Sequence, residues 1–258
     1  VLHTLKKLEK EGFEVTLLDV GPTGTITPQQ VAEAIREDTC LVTIMYANNE
    51  IGSILPIPEI GKVCHEKGVL FHTDAVQAAG HLHINVKEQN IDMLSLSGHK
   101  FHGPKGVGVL YARQGIPLTN IIEGGAQERG KRGGTENTPA IAGMAAALRE
   151  AVDHMVENTE KVTHLRETLI AGLSTIEHAR LNGDRDRRVP GTPRYGAAHG
   201  ERAEHTERHR QRGDEQRLHA DDAEVVRHLA VRAHAQTHHE NERVDADAQQ
   251  CIDKAEYG

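Results

Sequence analysis

Cys40 to Tyr46 (CLVTIMY) is the stretch that most narrows the fold, being almost entirely apolar between Asp38-Thr39 before it and Asn48-Asn49 after it. Such a short β-branched run reads as a strand buried on both faces, the pattern of a parallel sheet covered by helices. Its surroundings support this. Leu2, Leu5 and Leu8 share one helical face, with Gly12 as a stop, and Phe13 to Leu18 alternates as a strand. Thr27-Pro28 opens a helix through Ile35, with Thr27 as N-cap and Pro28 at the first helical position. Pro58 to Lys67 reads as a helix ended by Gly68. Val69 to Thr73, Asp92 to Leu96 and Val107 to Tyr111 read as further strands.

Strands alternating with helices predict an α/β fold, a mostly parallel sheet sandwiched by helices. In such sheets, sites form beyond the carboxyl ends of the strands. Asn48-Asn49, Asp74 and Ser97-Gly98-His99-Lys100 each fall just past a predicted strand end. From Glu136 to about Glu177 the pattern turns helical, with Ile141, Met144, Ala145 and Leu148 expected on one buried face and Leu165, Leu169 and Leu173 on another. After Thr192 the composition shifts to Arg, His, Asp, Glu, Gln and Ala, with Leu218 and Leu229 the only leucines. That segment is expected to be largely unstructured, with a marginal helix over 221–233. Three units follow: 1–135, 136–192 and a tail, 193–258.

Several function classes are excluded. A formal net charge of -8 over 258 residues supplies no global basic field for nucleic acid or an anionic membrane. No apolar run approaches the roughly 20 residues of a membrane span. Cys40, Cys64 and Cys251 are too scattered for a disulfide framework or zinc knuckle, so a cytoplasmic location is expected, with Cys40 and Cys64 as buried, inert thiols. His72, His81 and His83 have no metal-site spacing. Gly103 to Gly108 precedes a strand rather than opening a helix, which excludes a dinucleotide loop. Gly124 to Gly134, with Arg129 and Arg132 but no aromatics, reads as an active-site loop rather than an RNA-binding segment.

The strand-end clusters suit pyridoxal 5'-phosphate (PLP). That cofactor needs a lysine for its aldehyde, a carboxylate for its ring nitrogen, a donor to its ring oxygen and a phosphate cradle. Lys100 and Asp74 supply the first two from separate strand ends. Gln77 lies one turn beyond Asp74, where an amide can reach the ring oxygen. Ser97 and His99 flank Gly98, whose small size is expected to let the backbone approach the phosphate.

HTDAVQAAG followed by SLSGHKFHGPKGVGVLY resembles the core of class V PLP enzymes of fold type I. YANNEIG upstream and GGAQERGKRGGTENTP downstream make the chain similar to cysteine desulfurases of the nitrogen-fixation and iron–sulfur-cluster type. The resemblance implies that Lys100 carries PLP as a Schiff base and Asp74 pairs with its ring nitrogen. Asn49 and Gln77 bond the ring oxygen, and Ser97 and His99 hold the phosphate. Thr135 reaches the phosphate site of a second subunit, which implies a homodimer. The implied reaction takes sulfur from L-cysteine, leaving L-alanine and an enzyme-bound persulfide for a sulfur-acceptor or scaffold protein. Selenocysteine lyases and class V aminotransferases share the Asp and Lys placement and are the alternatives.

The pattern breaks in three places. The family's upstream phosphate loop and ring-stacking histidine have no counterpart before Val1, so the chain is expected to be a fragment. Ala126 stands where the family has a third glycine. Past Thr192 there is no Ser-Gly-Ser-Ala-Cys type loop, and Cys251, in QQCIDKAEYG, lacks small neighbours. The expectation is a frameshifted or unrelated tail and a chain with little turnover of its own, at the limit a non-catalytic fragment.

Overall fold

Leucines three apart wind the first helix, α1 (Leu2–Lys10), and Gly12, at φ 95, turns the chain out of it into β1 (Phe13–Leu18). The computed structural model describes residues 2–197 and the strand His228–Ala233. Helix α2 (Pro28–Ala34) starts as its sequence predicts. The Gln30 amide nitrogen donates to Thr27 Oγ1 at 3.2 Å, and the Thr27 amide donates to Gln30 Oε1 at 2.8 Å, a reciprocal cap that meets two otherwise orphaned donors. Strand β2 (Thr39–Met45), helix α3 (Ile57–Glu66) and strand β3 (Leu70–Asp74) follow, with Gly68 at φ 68 making the turn between the last two. Then come β4 (Met93–Ser97), a 3-10 turn Gly98–Phe101, β5 (Gly108–Ala112) and the four-residue α4 (Gln127–Gly130). The long helices α5 (Thr138–Asp153) and α6 (Met155–Leu173), and strands β6 (Ala179–Asn182), β7 (Arg194–Ala197) and β8 (His228–Ala233), complete the described chain.

The main sheet has the order β1-β8-β2-β3-β4-β5. Strands β2, β3 and β4 are mutually parallel, while β8 is antiparallel to both β1 and β2, and β5 is antiparallel to β4. Four strands therefore run one way and two the other, the expected α/β arrangement. Helices α2 and α3 press Val31, Ile57, Ile60 and Cys64 onto Val42, Ile44, Phe71 and Leu94. On the other face, Leu5 of α1 meets Phe13, Val15 and Leu41.

Four expectations need correcting. Strand β2 is not buried on both faces: Val42 and Ile44 are, but Leu41, Thr43 and Met45 are only half-buried, because α1 covers that face only near Leu41. Cys40 is exposed, at the uncovered start of β2. The apolar faces of α5 and α6 are only partly used. Met144 is buried against Phe101 and Ala79, but Ile141, Leu165 and Leu169 are exposed, and α6 instead buries Ile170. Finally, 194–197 and 228–233 are strands. Residues 228–233 pair with β1 and β2 by backbone bonds, which extended chain satisfies whatever its helix propensity. The remainder of the tail expectation, including Cys251, lies outside the described residues.

Candidate cofactor site at the strand ends

Three adjacent parallel strands deliver the polar clusters to one edge of the sheet. In register, Met45 of β2 faces Asp74 of β3, and Asp74 faces Ser95 of β4. The segments Asn48-Asn49, Asp74 to Gln77 and Ser97 to Lys100 therefore leave the sheet side by side. Period-two alternation puts Asp74 on the half-buried face, with Phe71 and Thr73 in the core.

Each group's partners define what it can do. Asp74 Oδ1 accepts from the Val76 amide at 3.0 Å, so one oxygen pins the turn at 76–80 while Oδ2 has no partner among the described residues. The capping and ligand roles of Asp74 are thus compatible. Ser97 Oγ lies 2.8 Å from His99 Nδ1, a hydroxyl–imidazole pair at the exposed rim. The Lys100 ammonium has no hydrogen bond or ion pair among the described residues, while its carbonyl oxygen lies 3.2 Å from His81 Nε2. Gln77 is half-buried one turn beyond Asp74.

Asn48 and Asn49 divide the work of their loop. Asn48 is buried, and its Oδ1 accepts from the amides of Glu50 and Ile51 at 2.8 Å each, which fixes the turn. Asn49 is left exposed, and its side-chain amide donates to Glu50 Oε1 at 3.3 Å. The loop is braced from outside. Buried Arg188 donates to the carbonyls of Asn182, Asp184 and Thr192 at 2.6, 2.7 and 2.8 Å, and burial pushes its guanidinium pKa down. The segment it shapes bonds back, Ile54 N to Arg187 O at 3.0 Å and Asp184 N to Ser53 Oγ at 2.8 Å. Neither Asn48 nor Arg188 stands out as a site residue in the sequence. The Asn doublet is the only signal for the first, and an arginine in RDRRVPGT reads as surface charge.

Gly98 is closely packed: a Cβ there would sit 3.1 Å from Pro104 O and 3.2 Å from Met144 and Val107 carbons, so a neighbour would have to give way. Thr135 is exposed in the loop before α5. Arg129 and Glu128 in that loop adopt φ 55 and φ 50, left-handed values that cost energy in non-glycine residues.

The residues present fit PLP. An unpaired amine, a carboxylate with one oxygen free, an amide and a hydroxyl–imidazole pair leave adjacent strand ends, and PLP needs these donors. Among the described residues there is no metal-ligating cluster, and no helix is long and apolar enough to cross a membrane.

A family model for aminotransferase class-V matches residues 1–192. The cysteine desulfurase IscS of Clostridium botulinum (strain Hall) is 52% identical over 193 residues, 74% of this chain and 49% of its own length. The cysteine desulfurase IscS of Methanosarcina thermophila is 51% identical over 189 residues, 73% of this chain and 47% of its own. Among solved structures, a NifS-like protein superposes with a TM-score of 0.75 at 31% identity, covering 100% of this chain and 72% of its own. A structure titled SspA in complex with cysteine gives a TM-score of 0.66 at 39% identity, covering 82% and 58%. The chain spans about half the length of the curated relatives it matches.

Proposed function

The chain belongs to the aminotransferase class-V family of enzymes, with the fold of NifS-like proteins, and on that premise we propose that it carries the PLP-holding half of a cysteine desulfurase site. The observation that supports this most is that Asp74, with one carboxylate oxygen unpartnered among the described residues, and Lys100, with its amine likewise unpartnered, lie beyond neighbouring parallel strands. In this reading Lys100 is the amine that attaches the cofactor's aldehyde, and Asp74 holds a proton on its ring nitrogen. Asn49 and Gln77 orient the ring oxygen, Ser97 and His99 hold the phosphate, and Thr135 serves the site of a second copy in a homodimer. PLP, when bound, supplies an electron sink that labilises bonds at the substrate's α-carbon. The substrate is L-cysteine, which a solved relative holds in complex by its title. The recipient is a sulfur-acceptor or scaffold protein of iron–sulfur-cluster assembly in the cytoplasm. The units 1–135 and 136–192 are a cofactor-holding unit and the start of a smaller domain.

Neither described cysteine suits sulfur acceptance. Cys64 is fully buried, and desolvation pushes its thiol up to about 12, so it holds no thiolate at neutral pH. Cys40 is exposed, but it begins β2, five residues before Met45 and hence roughly 17 Å from the strand ends. We therefore expect this chain alone to release little alanine or sulfide from cysteine. The direct test adds PLP to the purified protein, follows visible absorbance, then reduces with borohydride and maps the modified residue by mass spectrometry. A band and a label on Lys100, both absent in Lys100→Ala, support the reading; no Lys100-dependent band in the parent overturns it.

A further inference from the structure

His72 lies on the same face of β3 as Asp74, one pleat closer to the start of the strand. Its ring spans three strands: Nδ1 is 2.7 Å from Thr43 Oγ1 on β2, and Nε2 is 3.2 Å from Ser95 Oγ on β4. Ser95 is itself the register partner of Asp74, and its carbonyl accepts from the amide of Ala75, immediately after Asp74. The ring thus ties together the strands that deliver all three clusters. Two hydroxyls can meet either neutral tautomer, one donating and one accepting. From β2 come Leu41, Thr43 and Met45, from β4 Met93, Ser95 and Ser97, none of them charged. On its own strand Asp74 is the one charged group whose field registers at the ring.

We propose that His72 is a positioning residue for Asp74: bridging Thr43 and Ser95, it sets the strand spacing under the carboxylate without placing an ion pair there. This deepens the PLP reading and rests on it. A ligand ring nitrogen binds Asp74 as a protonated cation, so a second positive charge about 7 Å from the carboxylate, two residues along the strand, weakens that pairing. Burial lowers the imidazole pKa and outweighs the raising effect of Asp74, which keeps the ring neutral at physiological pH. The sign follows: His72 gains charge only on acidification, and the hold on PLP then loosens. Lys100 and His99 of the 3-10 turn and His81 of the turn after β3 are the other ionisable side chains beside the site. The informative quantity is therefore the difference between parent and variant.

The experiment measures PLP affinity by absorbance titration from about pH 7.5 to about pH 5, for the parent and His72→Gln, whose amide also donates and accepts. At the upper pH the two should agree within about twofold; at the lower, the parent should lose on the order of tenfold more affinity. Parallel profiles would overturn the inference and leave the PLP reading standing. Absence of any Lys100-dependent binding in the parent would overturn both. A second measurement needs neither variant nor cofactor: the ring carbon-bound proton of His72, followed by NMR against pH in the parent, should titrate below the ordinary histidine value. A midpoint at or above that value would also overturn the inference.

Discussion

Asp92 stands where β3, β4 and β5 are stitched together, and removing its side chain should cost about 3 kcal/mol. Four hydrogen bonds meet at this residue. Its amide donates to Phe71 O at 3.0 Å, and its carbonyl accepts from the Arg113 amide at 2.8 Å. Its Oδ2 accepts from the Phe71 amide at 2.9 Å, and its Oδ1 from Arg113 Nε at 2.8 Å. The side-chain bonds differ in worth. Phe71 is wholly buried, so an alanine at 92 strands its N–H without water, at about 1–3 kcal/mol. The Arg113 side chain is 58% exposed and regains water when released, so that pair adds at most about 1 kcal/mol. Asp92→Ala should thus lose about 3 kcal/mol, some 6–12 °C of melting temperature for a domain of this size. Asp92→Asn keeps an acceptor for Phe71 N–H and should lose only about 1 kcal/mol, as should Arg113→Ala. Urea unfolding followed by circular dichroism compares the three. If Arg113→Ala is as damaging as Asp92→Ala, or Asp92→Asn no milder, the assignment of the cost to the buried amide is wrong.

Other expectations follow from single residues. Glu167 is held down to about 2 by hydrogen bonds from Arg185 first and Arg166 second. Its contribution is therefore present above the ordinary carboxylate value of 4.5 and lost as pH falls toward 2. The advantage of the parent over Glu167→Gln in urea midpoint should shrink across that interval, and a constant gap down to about pH 3 would contradict the assignment. Thr73 is fully buried and its hydroxyl has no partner among the described residues, so Thr73→Val should raise stability by about 1 kcal/mol; a loss on urea unfolding would show that the hydroxyl has a partner. Gly172 in α6 has open space where a methyl group would sit, with no atom within 4 Å, so Gly172→Ala should gain about 0.5–1 kcal/mol, read as a rise in melting temperature.

How far the sequence reveals this site depends on the range of each signal. Caps and turns are local, and Thr27-Pro28 with Gln30, Gly12 and Gly68 all behave as read. The strand ends are also legible, because a switch from apolar alternation to a polar cluster is a property of neighbours along the chain. What fails is long-range. Whether Leu41, Thr43 and Met45 are covered depends on how far α1 reaches, which CLVTIMY does not encode. Nor does RDRRVPGT reveal that Arg188 is surrounded by three carbonyls, since those acceptors are set by the path of 182–192. The sequence presents His72 only as a metal candidate without the right spacing, because Thr43 and Ser95 become its partners through strand pairing alone.

The two faces of β3 explain why the site can be both rigid and open. Phe71 and Thr73 point into the core, so the strand is clamped on one side by packing. His72 and Asp74 point to the less covered side, where apolar burial is weak and hydrogen bonds must fix the spacing instead. Thr43, His72 and Ser95 do this without using a charge, which leaves the free oxygen of Asp74 and the amine of Lys100 available to a ligand. An ionic clamp in the same place would be as stiff, but it would put a cation beside the carboxylate that the PLP reading assigns to the ring nitrogen. On that reading, the imidazole between two hydroxyls suits the strand ends because it fixes their spacing without a competing ion pair.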